Sequence, residues 1–319
     1  MVTTRRRFLG QLAAVAGVTS AAGLVAACGG DGDAALVAPT VVPLFAPDRV
    51  LVAGRPQRIP LGIVVPELSS IYSTDDPGAT ALPGDDDEVP ITVLFNGEVV
   101  DTVAVRGRIV DHEHLDGTDP DHQHADLFRY YPLRTTLPEP GIYDLEIDVG
   151  AAVARIPVQA FDPGDATLPL VGDPFPVVST PTFDDPGGID LLCTRFEPCA
   201  FHRHDAADLI GQGRPLAVLV ATPAFCSTAY CGPVLDTLIE ATDGLDGLDV
   251  VHVEVYANPD EVGGNYLDPA IRLAPAVTEL GLSFEPSLFL VDGDGMLADR
   301  IDNVFDRTEL DDAIGALLS

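Results

Sequence analysis

The chain has 319 residues, enough for two domains of ordinary size. Fifty acidic residues face seventeen basic ones, all of them arginine, for a net charge of −33; such a surface repels phosphate backbones and anionic headgroups and excludes nucleic acid as a partner. At 46% hydrophobic residues the acidity is not that of a disordered chain, and 30 glycines, 28 prolines and no tryptophan favour turn-rich β structure over a cytosolic helical bundle or a multi-span membrane protein.

Residues 1–28 read as an address rather than as fold. Phe8 to Ala27 is uncharged, weakly apolar and about as long as a membrane span. Thr4-Arg5-Arg6-Arg7-Phe8-Leu9 resembles the twin-arginine export consensus, and Val25-Ala26-Ala27-Cys28 resembles a bacterial lipobox. The resemblance implies that Cys28 is acylated, becomes the first residue of the mature chain and tethers it to the extracytoplasmic face of the cell membrane; an uncleaved anchor is the alternative. Loss of residues 1–27 leaves fourteen arginines against fifty acids, a net charge of −36. Acyl chains, not basic residues, must then hold the protein at the membrane. Disulfides persist in that compartment.

Residues 29–48 form a spacer, opening Gly29-Gly30-Asp31-Gly32-Asp33 and kept extended by Pro39, Pro43 and Pro47. From 49 to 161, β-type runs separated by turn residues predict a small antiparallel sandwich with strands at Arg58 to Val65, Ile91 to Phe95, Val99 to Val105, Phe128 to Thr135, Ile142 to Val149 and Ala152 to Val158. Asn96-Gly97 is a two-residue hairpin signal, because both residues tolerate positive φ. Pro140-Gly141-Ile142-Tyr143 resembles the turn into a late strand of immunoglobulin-like sandwiches, with Tyr143 as the corner residue.

Residues 162–189 carry six prolines and read as a semi-rigid strap. From 190 to 319 strands and helices alternate: a buried strand at Leu216 to Ala221, a helix at Val234 to Ala241, a strand at Val250 to Tyr256, a helix at Pro269 to Leu280, a hairpin of Ser287 to Val291 and Met296 to Ile301 around Asp292-Gly293-Asp294-Gly295, and a closing helix at Thr308 to Leu318. Glu309, Asp311 and Asp312 sit at the start of that last helix, where its dipole favours them.

Thr222-Pro223-Ala224-Phe225-Cys226-Ser227-Thr228-Ala229-Tyr230-Cys231-Gly232-Pro233, followed by Phe284-Glu285-Pro286-Ser287, resembles the active-cysteine turn and cis-proline segment of thioredoxin-like proteins. With Cys193-Thr194-Arg195 ahead of it, the C-terminal half is similar to a group of thioredoxin-like lipoproteins of actinobacteria. The resemblance covers residues 190–319 and implies an α/β thioredoxin-like domain behind an all-β, immunoglobulin-like sandwich. It implies a thiol–disulfide oxidoreductase in which Cys226 attacks, Cys231 resolves and Pro286 lies beside them, with exported thiol or disulfide proteins as partners and no cofactor required. A cysteine at a helix start is a better thiolate, because unpaired amides stabilise its charge.

The pattern departs from the family. Four residues separate the cysteines instead of two, and positions five apart on a regular helix lie ~140° around the axis. The pair closes only if Cys226 lies in the loop before the helix or the first turn unwinds. Val218-Leu219-Val220 offers no buried carboxylate, Phe225 stands where tryptophan is usual, and Glu285 brings a charge that would raise a nearby thiol. A non-enzymatic binding or structural module, with Cys226 and Cys231 as a staple, therefore stands beside the redox reading. One branch of the peroxiredoxins also spaces its cysteines by four, but Thr222 lies four residues before Cys226 rather than three, which disfavours a peroxidase.

Besides Cys28 there are four cysteines, an even number for an oxidising compartment. Cys193 and Cys199 are expected to pair as a structural disulfide, with crossed pairing to Cys226 and Cys231 as the alternative. His112, His114, His122 and His124 form two His-x-His units around an acidic loop, suited to Zn(II) or Cu(II) and, as a further alternative, to a copper- or zinc-handling protein; a solvated acidic loop is the plainer reading. His202 and His204 form a third such unit beside Cys199.

Overall fold

A computed structural model of the chain describes residues 40–45, 50–64, 87–110, 128–149, 153–226, 230–263, 265 and 267–319. Cys28 and the four histidines between 112 and 124 lie outside them.

The first half forms two four-stranded antiparallel sheets. One has the order β1 (Thr40–Pro43), β2 (Pro56–Val64), β6 (Phe128–Thr136), β5 (Arg108–Val110); the other has β4 (Glu98–Arg106), β3 (Glu88–Phe95), β7 (Gly141–Asp148), β8 (Val153–Ala160). Alternation along the strands sends Ile59, Leu61, Tyr131 and Leu133 from the first sheet, and Ile91, Val93, Leu145 and Ile147 from the second, into one shared core. Asn96 and Gly97 take φ of 53° and 82° and turn β3 into β4 as the sequence predicts. The Tyr143 hydroxyl donates to the Glu139 carbonyl at 2.8 Å and accepts from the Glu139 amide at 2.9 Å, tying β7 back to the turn before it. Gly141 is required there, because a Cβ would meet the Phe95 ring at 2.7 Å.

Residues 40–43, expected to be spacer, instead form edge strand β1, with Thr40 opposite Val64 and Pro43 opposite Leu61. An edge position tolerates the proline. The strap is not a free spacer either. Phe175 and Val178 are buried against the second half, and the Phe175 amide donates to the Gly295 carbonyl at 2.8 Å.

The second half has a four-stranded sheet of order β10 (Asp249–Val253), β9 (Leu216–Val220), β11 (Ser287–Val291), β12 (Leu297–Asp302), with β10 parallel to β9 and the other neighbours antiparallel. This is the expected thioredoxin-like arrangement. A short helix α1 (Ala206–Leu209) precedes the sheet, and three helices follow its start: α2 (Cys231–Thr242), α3 (Pro275–Glu279) and α4 (Arg307–Leu317). Val218, Val220, Val253 and Phe289 face α3 and the strap, whereas Leu219, Leu288 and Leu290 face α2 and α4. Cover on both faces is why β9 is an unbroken apolar run. The helix expected from Pro269 spans only α3. Residues 271–274 stay extended because the Ala257 amide donates to the Arg272 carbonyl and the Ala274 amide to the Val255 carbonyl, both at 2.8 Å, and Pro275 then starts the helix. No helix among the described residues is long and apolar enough to cross a membrane.

The two halves meet across the outer face of the first sheet. Arg58, on the opposite side of β2 from Ile59, is buried against α4; its Nε reaches Glu309 Oε1 at 2.7 Å and one Nη reaches Glu309 Oε2 at 2.9 Å. The guanidinium also donates to the carbonyls of Asp302 at 2.8 Å and Val304 at 2.5 Å. The Tyr130 hydroxyl donates to Glu309 Oε2 at 2.7 Å and accepts from the Asp306 amide at 2.8 Å. Burial alone would push the Glu309 carboxyl up; the charge of Arg58 and the hydrogen bonds from Arg58 and Tyr130 outweigh it and hold Glu309 below the ordinary carboxylate range. A carboxylate so lowered contributes stability that is present above about pH 4.5, its unfolded value, and is lost as pH falls through the folded one. At pH 7, Glu309→Gln should cost about 3–5 kcal/mol by leaving Arg58 buried without its counter-ion, and the gap from wild type should narrow as pH falls below about 4.5. Thermal melts across that range are the check, and equal melting at pH 7 would contradict it.

Candidate functional site

β9 ends at Val220, and the chain turns through Thr222 to Phe225, closed by the Phe225 amide donating to the Thr222 carbonyl at 3.2 Å. Cys226 follows in the loop, half-buried, and α2 begins at Cys231, which is fully buried. This is one of the two conditions under which a spacing of four lets the sulfurs meet. Tyr230, at the N-cap, offers no side-chain acceptor to the first-turn amides. The Cys231 amide instead donates to Cys226 Sγ at 3.3 Å, so a sulfur stands where a capping oxygen normally would. An anionic sulfur is the better acceptor there, and the helix dipole favours the same charge.

The peptide bond between Glu285 and Pro286 is cis, as the sequence reading expects. Ser287 pairs with Val220, which brings Pro286 to the end of β9 where the cysteine loop departs. Cys226, Cys231 and Pro286 are thus placed together. Burial pushes the Cys231 thiol well above its ordinary value, and the hydrogen bond with Cys226, the charge on Cys226 and the charge of Glu285 push the same way. Cys231 is accordingly a protonated thiol at neutral pH. The two cysteines are unlike: Cys226 accepts an amide hydrogen bond near solvent, and Cys231 is held neutral beneath it.

The expectation of no buried carboxylate needs correction. β9 itself is apolar, but Glu285 and Glu254 are both buried nearby. Glu254 Oε1 accepts from the Thr194 amide at 2.6 Å and from the Thr194 hydroxyl at 2.7 Å, and burial pushes its carboxyl up to about 7. The Thr194 hydroxyl in turn accepts from the Ala224 amide at 3.1 Å, so Cys193-Thr194-Arg195 braces the cysteine loop. Arg195 braces α2 through Asp236 at 2.7 Å. A carboxylate within the apolar run Val253-Glu254-Val255 was the sequence signal for Glu254.

Cys193 and Cys199, expected to pair as a structural disulfide, are brought together. Their Sγ atoms are 3.9 Å apart, both thiols are free, and both point at His202 and His252. His204 is exposed, so it does not act with His202 as a pair. Among the described residues these four side chains are the one group whose ligand atoms converge to within 4.8 Å. His252, buried in β10, is the member that the sequence reading missed.

No protein-family model matches the chain, and no curated protein matches it in sequence. Solved structures do. A thiol:disulfide interchange protein of the thioredoxin family from Chlorobium tepidum TLS matches at 17% identity and a TM-score of 0.31, covering 46% of this chain and 97% of its own. A thiol:disulfide interchange protein DsbE from Chlorobium tepidum matches at 17% identity and a TM-score of 0.33, covering 47% and 99%. Likeness at that level carries no assignment of activity, which must rest on the site. In the reduced protein near neutral pH, iodoacetamide should alkylate Cys226 at least tenfold faster than Cys231. Peptide mapping of a labelling time course reads this directly, and equal rates would remove the distinction between the two thiols.

Proposed function

We propose that the chain is a lipid-anchored thiol–disulfide oxidoreductase of the extracytoplasmic face, acting on exported proteins through Cys226 and Cys231. The observation that carries this is the Cys231 amide donating to Cys226 Sγ at the start of α2, beside Pro286. The Cys226 thiolate attacks one sulfur of a partner disulfide; an S–S bond forms between them and the other partner sulfur leaves as a thiolate. Cys231 then attacks Cys226 Sγ, gives its proton to the departing partner sulfur, and closes the Cys226–Cys231 bond. The partner gains two electrons and one proton from the pair, and the thiolate it released first takes its proton from water; an exported dithiol of matching potential restores the pair. The polarity of the two cysteines supports this order, since the half-buried one can reach a partner and the buried one cannot.

The complete burial of Cys231 supports a second reading, in which the pair is a permanent staple in a non-enzymatic module. A staple should have a reduction potential below about −300 mV and no turnover. An exchange pair should reduce a model disulfide such as insulin, lose this with Cys226→Ser, and accumulate a mixed disulfide with Cys231→Ser. The first half is read as an immunoglobulin-like sandwich, supported by the Tyr143 corner. The lipobox supports anchoring through Cys28, so Cys28→Ala should move the protein from the membrane fraction to the soluble one.

A further inference from the structure

We propose that Cys193, Cys199, His202 and His252 bind one Zn(II) ion in a closed tetrahedral site separate from the redox pair. The four side chains come from two segments. Cys193, Cys199 and His202 lie on the loop that enters the domain, and His252 lies in β10; the His252 amide donates to the Phe201 carbonyl at 3.1 Å and stitches the two together. His252 Nδ1 is 3.8 Å from Cys193 Sγ, 3.5 Å from Cys199 Sγ and 3.0 Å from His202 Nε2, and the sulfurs are 3.9 Å apart. Zinc bonded to sulfur at about 2.3 Å and to nitrogen at about 2.0–2.1 Å makes a tetrahedron with edges of roughly 3.3–3.8 Å. Four of the six edges run from 3.0 to 3.9 Å, around that range, and the two from His202 to the sulfurs lie within 4.8 Å. A disulfide would need the sulfurs at about 2.05 Å and would leave the two imidazoles facing a bond with nothing to give them.

The surroundings orient the ligands. His252 Nε2 lies 3.1 Å from the Ala221 carbonyl and donates its hydrogen there, which leaves the Nδ1 lone pair pointing at the centre of the cluster. The Cys199 amide donates to Cys193 Sγ at 3.4 Å, a hydrogen bond that suits a thiolate. The His202 ring is steadied edge-on by Phe183, with centroids 5.5 Å apart. All four ligands are no more than 5% exposed, so no coordination position opens to solvent and the site is structural rather than catalytic. Two thiolates with two imidazoles suit zinc and give no octahedral oxygen set for magnesium or calcium. Binding releases the two thiol protons: Zn(II) displaces a hydrogen from each sulfur, nothing is oxidised, and the cysteines are withdrawn from thiol exchange.

The full chain, purified without chelator, should carry one zinc per polypeptide by elemental analysis. Cys193→Ser and His252→Ala should each lower this at least tenfold, whereas Cys226→Ser should leave it unchanged, which separates this site from the redox pair. Should the first two variants fail to fold, wild-type protein exchanged into Co(II) should show a thiolate-to-cobalt charge-transfer band and intense tetrahedral d–d bands. The proposal is overturned if the chain carries no metal, if it carries copper in place of zinc, or if peptide mapping of the untreated protein finds Cys193 linked to Cys199.

Discussion

Arg58 and Glu309 are separated by 251 positions in sequence and meet in a space from which water is excluded. Removing a guanidinium and a carboxylate from water costs several kcal/mol per ion, and attraction offsets this only where the remaining donors and acceptors are also satisfied. Here they are. The guanidinium meets both carboxylate oxygens and two carbonyls, and Tyr130 takes part from the neighbouring strand. That completeness makes the contact directional, because a small rotation of one half against the other would strand a charge in an apolar setting. Weaker contacts follow the same seam: Arg300 donates to the Pro169 and Val50 carbonyls at 3.1 Å each, and Asn303 Nδ2 donates to the Leu44 carbonyl at 2.5 Å. The two halves are therefore joined along one seam by paired polar groups.

The fixed seam accounts for how the first sheet is built. One face of β2 and β6 feeds the sandwich core through Ile59, Leu61, Tyr131 and Leu133, and the other presents Arg58 and Tyr130 to the second half. A strand alternating apolar and polar residues normally has one wet face. Here the polar side is dry at Arg58 and Tyr130, the residues that pair across the seam.

Strands with one apolar face were readable from sequence because period-two patterning is local; Tyr143, Leu145 and Ile147 announced β7 unaided. The unbroken run of β9 was readable for the converse reason. Strand β1 was not, since four residues beside prolines become a strand only when β2 supplies the hydrogen bonds. The extended segment before α3 was hidden for the same reason, its partners being residues 255–257. At the site, the five-residue step left Cys226 either in the loop or on an unwound first turn, and the helix start at Cys231 selects the loop; Pro286 was readable from its setting. The convergence of Cys193 and Cys199 on a histidine cluster was not, because one of its members is His252, a histidine in an apolar strand 53 positions from Cys199. Long-range convergence leaves no mark on local pattern.

The seam also orders events in time. Translation at roughly 5–20 residues per second reaches Glu309 some tens of seconds after Arg58 has emerged. Throughout that interval the sandwich strands can pair, yet the outer side of their first sheet holds a cation with no counter-charge. Closure waits on the helix that carries Glu309, so a nascent chain stalled before residue 309 keeps the outer side of that sheet uncovered and its buried cation without a partner.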